Sequence, residues 1–187
     1  MISYEISRED LRYVQKRLKR IETEAPKVFK NAINRTAKEA RKKLAAGAQG
    51  AYTVKNGGFN SHMRIRNATN RRLYAVIRSD GDPLTLMRFH TTAPKSGGRT
   101  DIVKNGLKQL VGPRHIKAFK GKGGKVAGKI TQRTGKDRYP LKTLHSVSVP
   151  KMLEKVYEGE RGIEGALGPE IQRTLHDEIK KEVHKLI

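Results

Sequence analysis

A glycine- and lysine-rich segment is the first feature of the sequence that could bind a ligand. Gly123, Gly128 and Lys129 have the spacing of a P-loop, in which backbone N–H groups and the lysine contact phosphates. Ile130, however, stands where a P-loop has the Ser or Thr that binds magnesium. A P-loop must also open a helix, whereas the residues that follow include helix breakers such as Pro140. We therefore predict a flexible basic loop here and no nucleotide site.

Carboxylates that could bind a metal are scarce in the basic part of the chain. The five that occur there are Glu39, Asp80, Asp82, Asp101 and Asp137. A metal-dependent nuclease would have to take its ligands from this set, with Asp80 or Asp82 as the first choice. These two flank Gly81 just before Pro83, which is typical of a tight turn. A turn is therefore favoured over a metal site.

The other residue types used in catalysis form no familiar pattern. The six histidines lack metal-ligand spacing, and His176, next to Asp177 and Glu178, is interpreted as part of a solvated helix face. The chain has no cysteine, which excludes disulfides, thiol nucleophiles and thiolate zinc sites. It also has no G-x-S-x-G nucleophile elbow. The sequence predicts no enzyme, no metal site and no cofactor.

Two amphipathic helices are predicted to open the chain. Ser7 and Asp10 have a spacing like that of a capping box, before a helix over 8–23. The apolar face of this helix is predicted to contain Leu11, Val14, Leu18 and Ile21. Pro26 favours the start of a second helix over about 26–46, which ends at Gly47. Its Ala-rich apolar face consists of Phe29, Ala32, Ile33, Ala37, Ala40 and Leu44.

The middle of the chain changes to the two-residue alternation that is typical of strands. Strands are predicted at 63–66, 73–78, 84–89, 102–111, 115–119 and 130–132, with turns near Asn70 and at 80–83. Residues 90–100 and 120–129 are predicted loops. The second loop is expected to be mobile because its Gly and Lys residues bury little and lose much backbone entropy on ordering.

The C-terminal part is again predicted to be helical. Pro150 can start a short helix to about 157, and a last helix starts at Pro169. Grouped elements favour an α+β fold over a parallel α/β sheet. We expect one domain over 1–187: two N-terminal helices (8–46), a central mostly antiparallel sheet of five or six strands (52–149) and C-terminal helices (150–187).

Positive charge is concentrated in the middle of the chain. The whole chain has 187 residues and a formal net charge of +23 at pH 7, and residues 26–149 contain 28 Lys and Arg against five carboxylates. Residues 1–25 and 150–187 are nearly balanced. Such a surface suits a polyanion or acidic protein partners. The sequence has neither a membrane-length apolar run nor a signal-peptide pattern, so we expect a soluble protein.

Direct binding of nucleic acid is one interpretation of this charge, because Lys and Arg contact phosphates without precise geometry. The few aromatic residues, Phe89, Phe119 and Tyr139, are spaced like strand core residues and unlike the stacking platforms of single-strand binders. No helix-turn-helix, zinc-finger or RNA-recognition signature is present. Any DNA contact is therefore expected to be sequence-independent. A solvated or partner-facing surface is the alternative.

Several segments, taken together, resemble one family. They are Ala32-Ile33-Asn34-Arg35-Thr36-Ala37, Tyr52-Thr53-Val54-Lys55, Pro94-Lys95, His115-Ile116-Lys117-Ala118-Phe119, Gly135-Lys136-Asp137-Arg138-Tyr139-Pro140-Leu141-Lys142 and Ser146-Val147-Ser148-Val149-Pro150-Lys151-Met152-Leu153. In this order, from about residue 20 to the C-terminus, they resemble the minor tail protein Z family of tailed bacteriophages and prophages. Tyr139 replaces the small aliphatic residue that the family usually has before this proline.

The resemblance implies a structural virion protein that completes a long non-contractile tail at its head-proximal end. It also implies a homo-oligomeric ring, with six copies to match the tail's symmetry. Such a ring would join the tail terminator and head–tail connector rings around duplex DNA, after assembly in the host cytoplasm. No membrane is implied.

Two groups of candidate site residues follow. The DNA-channel candidates are Lys120, Lys122, Lys125, Lys129 and Arg133. Since 40 Å of duplex presents only about 24 phosphates, most of the charge of six copies, each of +23, must face protein or solvent. The docking candidates are Arg138, Tyr139, Pro140, Leu141, Val149 and Pro150. These residues either dock a neighbouring ring or form a rigid corner between the sheet and the C-terminal helices.

The rival interpretation from another class is a sequence-non-specific DNA-binding protein that acts by electrostatic attraction alone. Rings that persist at about 0.5 M salt would favour the virion component, whereas a salt-sensitive monomer on DNA would favour the rival.

Overall fold

A computed structural model describes residues 6–17, 24–55, 58–159 and 167–186. Its helices are α1 (Arg8–Arg17), α2 (Ala25–Ala51), α3 (Val149–Glu158) and α4 (Leu167–His184). The strands are β1 (Met63–Arg66), β2 (Val76–Ser79), β3 (Pro83–Thr85), β4 (His90–Thr92), β5 (Arg99–Asp101), β6 (Lys108–Gln109), β7 (Phe119–Lys120), β8 (Ile130–Arg133), β9 (Leu141–Thr143) and β10 (His145–Ser148). The predicted α+β class is confirmed, with helices at both ends and antiparallel strands between them.

The strands form four small sheets in the described residues, where the sequence predicted one sheet of five or six strands. Their orders are β1-β2, β3-β10, β4-β5-β6 and β7-β8-β9, and all pairings are antiparallel. Each strand has only two to four residues, because turns and short 3₁₀ segments interrupt the chain. A two-stranded hairpin is marginal alone, so these sheets depend on packing against the helices and one another.

Several predicted boundaries in this region are wrong. Residues Leu86–Arg88 of the predicted strand 84–89 form a 3₁₀ turn, and only Lys108–Gln109 of 102–111 is a strand. Similarly, residues 115–118 precede β7 instead of forming a strand. The predicted loop 90–100 contains β4 and β5, where Thr91 pairs with Thr100. Threonine is polar, which favoured the prediction of a loop, but it is also β-branched, and β-branched residues favour strands.

The core is built on α2. The predicted Ala-rich face is buried as expected, and α3 and α4 pack against it. The buried apolar residues of α4 recur every four residues and so lie on one face of the helix: Ile171, Leu175, Ile179 and Val183. The helix α2 does not end at Gly47 but continues to Ala51. A Cβ at Gly47 would lie 2.8 Å from Val156 Cγ1, so this glycine allows α3 to approach closely.

The first helix docks on the last one. The predicted cap is confirmed, because the Asp10 backbone N–H donates to Ser7 Oγ at 3.0 Å. Leu11, predicted on the apolar face, is 40% exposed, whereas Val14 is buried. Buried Asp10 lies 2.5 Å from Nδ1 of His176 on α4, so the interpretation of His176 as merely solvated was wrong. The end of the predicted helix, residues 18–23, lies outside the described residues.

The corner between β10 and α3 forms where the sequence predicted it. Pro150 lies in the first turn of α3, and Gly159 ends this helix in the left-handed conformation with φ of 73°. The last helix begins at Leu167, two residues before the predicted Pro169.

Candidate functional site

An open cleft of about 1250 Å³ lies in the strand region of the described residues, and we call it the basic cleft. Three parts of the chain form its walls: the loop after β4, the hairpin β7–β8 with its connecting loop, and the segment before β9. In numbers, its lining comes from 93–97, 117–126, 133 and 138–141.

The hairpin wall is held by backbone hydrogen bonds. Phe119 pairs with Thr131, and Lys120 pairs with Ile130. Beyond this pairing, the Gly121 N–H donates to the Lys129 carbonyl at 2.9 Å. Gly121 is buried so close to the Val126 carbonyl that a side chain would collide with it. The glycine-rich loop therefore closes a hairpin and leads into a strand, which is not the helix that a P-loop requires.

The opposite wall reaches the hairpin through a contact between distant parts of the chain. The Gly98 N–H donates to the Ala118 carbonyl at 2.6 Å, and the Ala118 N–H donates to the Leu110 carbonyl at 3.1 Å. A Cβ on Gly98 would lie 3.3 Å from that Ala118 carbonyl oxygen, so glycine makes the approach easy. These bonds bring the loop that contains Lys95 to the same cleft as the lysines of the hairpin.

Every charged side chain that lines the cleft is cationic. The seven are Lys95, Lys117, Lys120, Lys122, Lys125, Arg133 and Arg138, and all are exposed. No Asp or Glu lines the cleft, and none of the seven forms an ion pair within the described part of the chain. Like charges at this density repel one another, so the cleft is electrostatically prepared for an anion.

The structure brings most of the two predicted residue groups together. Of the DNA-channel candidates, Lys120, Lys122, Lys125 and Arg133 line the cleft, while exposed Lys129 does not. Four docking candidates also line it: Arg138, Tyr139, Pro140 and Leu141. Most of the DNA-channel candidates and most of the docking candidates, which the sequence analysis predicted as two separate groups, thus line the same cleft.

Val149 and Pro150 lie elsewhere. Val149 is 3% exposed and belongs to the core, which leaves it no surface to offer a partner. Pro150 lines a separate cavity of about 150 Å³ with residues such as Met63 and Leu153. For these two residues, the structure favours the corner interpretation.

The aromatic residues behave differently from one another. Phe89 is fully buried, as the prediction of a core residue requires, and Phe119 is half-buried. Tyr139 is 66% exposed, so its interpretation as a core residue was wrong. The Arg138 guanidinium lies over the Tyr139 ring, 5.8 Å from its centroid, which is a cation–π geometry. The Tyr139–Pro140 peptide bond is cis.

Sequence reasoning did not select Lys95 and Lys117 as site residues. Their only signal was their presence in the segments that carry the family resemblance. Lys95 reaches the cleft through the contact between Gly98, which precedes β5, and Ala118, which precedes β7, and Lys117 is next to Ala118 in the chain. A local sequence pattern cannot predict such a contact between distant segments of the chain.

The scarce carboxylates do not assemble into a metal site. Asp80 and Asp82 are exposed in the short connection between β2 and β3, although this connection does not form the hydrogen-bonded turn that the sequence predicted. Asp101 is buried and accepts a hydrogen bond from the Asn105 backbone N–H at 3.2 Å. Within the described residues, no group of three or more His, Asp or Glu side chains could hold a metal ion. None of the described helices is both long and apolar enough to cross a membrane.

The acidic residues that balance α2 lie on α4. Arg35 forms a 2.7 Å ion pair with Glu182, which also accepts a 3.0 Å hydrogen bond from Asn31. Burial alone would raise the pKa of Glu182, but hydrogen bonds from Lys185 and Asn31, with the charge of Arg35, lower this pKa below its ordinary value. The basic face of α2 is thus partly neutralised, whereas the basic cleft is not.

Comparison with known proteins identifies a family. No curated protein and no solved structure matches the chain. Residues 11–187 match the family model described as prophage minor tail protein Z (GPZ), which covers nearly the whole chain. The chain therefore belongs to the minor tail protein Z family of prophages, a family of structural proteins of phage tails.

Proposed function

We propose that this tail protein completes the head-proximal end of a long non-contractile tail as a ring around the DNA path. Family membership supports a structural role in the tail, without catalysis. The proposal adds the ring, which we expect to contain six copies, and its position between the tail terminator and head–tail connector rings. Assembly would take place in the host cytoplasm, and the ring would then remain in the virion.

The basic cleft is the observation that carries this proposal. Seven cations without an ion-pair partner in the described part of the chain require an external anion or solvent screening. DNA is the polyanion that must pass the head-proximal end of a tail. We propose that Lys120, Lys122, Lys125 and Arg133 contact its backbone without reading sequence, and that Lys129 lies at the edge of this contact.

Protein contacts are proposed to hold the ring in place. Arg138, Pro140 and Leu141 line the cleft, and their side chains are exposed or half-buried. These residues are our candidates for docking to adjacent rings. Most of the remaining positive charge would face acidic surfaces of those rings or solvent, because the DNA within one ring offers too few phosphates.

Native mass spectrometry at increasing salt tests the proposal. We expect ring-sized oligomers that persist at about 0.5 M salt, because apolar and hydrogen-bonded protein contacts are less screened than phosphate contacts. A matched pair of variants separates the two kinds of contact. Lys122→Gln should reduce DNA retention and leave the ring intact, whereas Lys155→Gln, on α3 and outside the cleft, should change neither. A monomer at every salt concentration would contradict the ring.

A sequence-non-specific DNA-binding protein is the second candidate, and the same cation-only cleft favours it. In this case contacts with DNA phosphates would be the only contacts that bind the protein. Its affinity for DNA should therefore fall steeply as the salt concentration increases. Gel filtration with duplex DNA at low and high salt separates the two candidates. A monomer bound to DNA only at low salt supports this alternative, and a DNA-independent ring excludes it.

A further inference from the structure

We propose that the basic cleft binds single-stranded nucleic acid, with Tyr139 stacking on an unpaired base. This inference goes beyond the proposed contact with duplex DNA and rests on the proposed function only for nucleic acid as the class of ligand. It does not depend on ring formation or on a head-proximal position.

The exposed ring of Tyr139 is the first observation behind this inference. Its 66% exposure is the largest among the exposed large apolar and aromatic side chains of the described residues. The ring therefore contributes little to the core, although its apolar surface favours burial. The Arg138 guanidinium lies over the ring, 5.8 Å from its centroid. An exposed ring among cations is the usual arrangement of a stacking platform for bases.

The hairpin wall supplies groups that suit a flexible phosphate backbone. Lys120, Lys122 and Lys125 follow one another along the wall at intervals of two and three residues. Gly123 and Gly124 lie between them, and a Cβ at either position would meet nothing within 4 Å. Without side chains at these two positions, a phosphate can approach the backbone closely. The wall therefore combines charge with open backbone.

The exposed ring of Tyr139 favours an unpaired strand over a duplex as the ligand. Base faces in a duplex already stack on one another, so an aromatic side chain in a cleft gains nothing from paired bases. An acidic peptide would satisfy the lysines but would offer Tyr139 no flat partner. The cleft volume of about 1250 Å³ exceeds the roughly 300–1,000 Å³ of typical small-molecule sites, which leaves space for more than one nucleotide.

Fluorescence anisotropy with a labelled 12-nucleotide oligo-dT tests this inference. Tyr139→Ala is expected to weaken binding of the oligonucleotide about tenfold, because stacking on an aromatic ring strengthens binding of each base by about that factor. Tyr139→Phe should retain wild-type affinity, since it keeps the ring. Binding of a 12-base-pair duplex should change less than twofold in either variant.

Tyr74 provides the matched control. It is 49% exposed and has the Arg72 guanidinium over its ring at 5.3 Å, but it does not line the cleft. Tyr74→Ala should therefore leave oligo-dT affinity unchanged. Equal losses in Tyr74→Ala and Tyr139→Ala, or no loss in either, would overturn the inference.

A second measurement does not depend on the affinity of any variant. Ultraviolet crosslinking of wild-type protein to an oligonucleotide containing 5-iodouracil should modify the peptide that contains Tyr139. Crosslinks confined to other peptides would overturn the inference. A competition experiment tests the same point: polyglutamate should displace labelled oligo-dT less effectively than unlabelled oligo-dT does, and equal displacement would overturn the inference. Native mass spectrometry measures ring formation separately. A failure of the oligonucleotide inference would therefore not contradict the proposed ring, and absence of the ring would not contradict this inference.

Discussion

Asn34 holds the backbone of buried Ala68 through both groups of its side-chain amide. Its Nδ2 donates to the Ala68 carbonyl at 3.1 Å, and its Oδ1 accepts from the Ala68 N–H at 2.7 Å. The next residue, Arg35, pairs with Glu182 on α4. Both residues belong to a segment that carries the family resemblance, and the structure gives each of them a role in connecting α2 to another part of the fold.

Asn34→Ala is expected to destabilise the protein by about 1–3 kcal/mol, because it leaves two buried backbone groups of Ala68 without partners. Urea denaturation followed by circular dichroism measures this change. Asn60→Ala is the control, because Asn60 is exposed and should tolerate the change within about 0.5 kcal/mol. Equal stability of the two variants would show that the amide does not support the Ala68 backbone.

Glu182 should make stability depend on pH. Its folded-state pKa lies below the ordinary value of 4.5, so its stabilising effect is complete above that value and is lost as the pH falls through the lowered pKa. The melting temperature of Glu182→Gln should therefore fall less than that of the wild type between pH 6 and pH 3. Glu39→Gln, which removes an exposed partner of Lys42, should leave the wild-type pH profile unchanged. Parallel profiles for Glu182→Gln and the wild type would contradict this assignment.

At the scale of elements, the fold depends on how closely α3 approaches α2. Gly47 allows this approach, because a side chain at this position would meet buried Val156. Gly50 lies one turn later on the same helix, and a Cβ there would meet nothing within 4 Å. Both glycines lower the stability of the helix by the same intrinsic amount, but a side chain would be crowded at Gly47 and would have open space at Gly50.

These two glycines give a matched pair of substitutions. Gly47→Ala should destabilise, because overpacking costs typically about 1–3 kcal/mol and outweighs a helix gain of roughly 0.5–1 kcal/mol. Gly50→Ala should stabilise by up to about 0.5–1 kcal/mol, since only the helix gain applies. Chemical denaturation measures both changes. Destabilisation by Gly50→Ala, or stabilisation by Gly47→Ala, would contradict the packing described for α2 and α3.

The long helices were predictable from the sequence, and the short strands were not. The apolar stripes of α2 and α4 repeat over several turns, so their period and burial could both be inferred. Strands such as β6, with two residues, are too short for alternation to identify. The end of α2 was misplaced because Gly47 resembles a helix stop, while its actual role depends on Val156 on another helix.

The candidate site was predictable only in part. The lysines around the glycine-rich loop were recognised from composition, and four of the five DNA-channel candidates do line the basic cleft. Lys95, Lys117 and exposed Tyr139 were missed or misinterpreted, because their positions depend on contacts between distant segments. The Asp10–His176 contact, which joins residues 166 positions apart, could not be inferred for the same reason.

At the scale of the whole molecule, the two signs of charge are arranged differently. Carboxylates of α4 pair with cations of α2, as in the 2.7 Å contact between Glu170 and Lys43. In the described part of the chain, no ion pair involves a Lys or Arg between β1 and β10. The strand region is therefore a cationic surface attached to a helical core in which part of the positive charge is paired.

Stability should consequently rise with ionic strength. The formal net charge of +23 is self-repulsive, and salt screens this repulsion more than it weakens the pair between Arg35 and the buried carboxylate of Glu182. We expect the melting temperature to increase by a few degrees between 20 mM and 300 mM sodium chloride. Sucrose at equal osmolality serves as the control for uncharged solutes. A decrease with salt would show that the ion pairs outweigh the repulsion.

The position of the protein in the intact particle is the most direct test of its role. Electron cryo-microscopy of purified virions should show a closed ring of this fold at the head-proximal end of the tail, with the basic cleft facing the DNA path. Density for the fold at another place in the tail, or its absence from the particle, would contradict the proposed role. A ring that places Lys120, Lys122, Lys125 and Lys129 on its outer wall would contradict the proposed DNA contact.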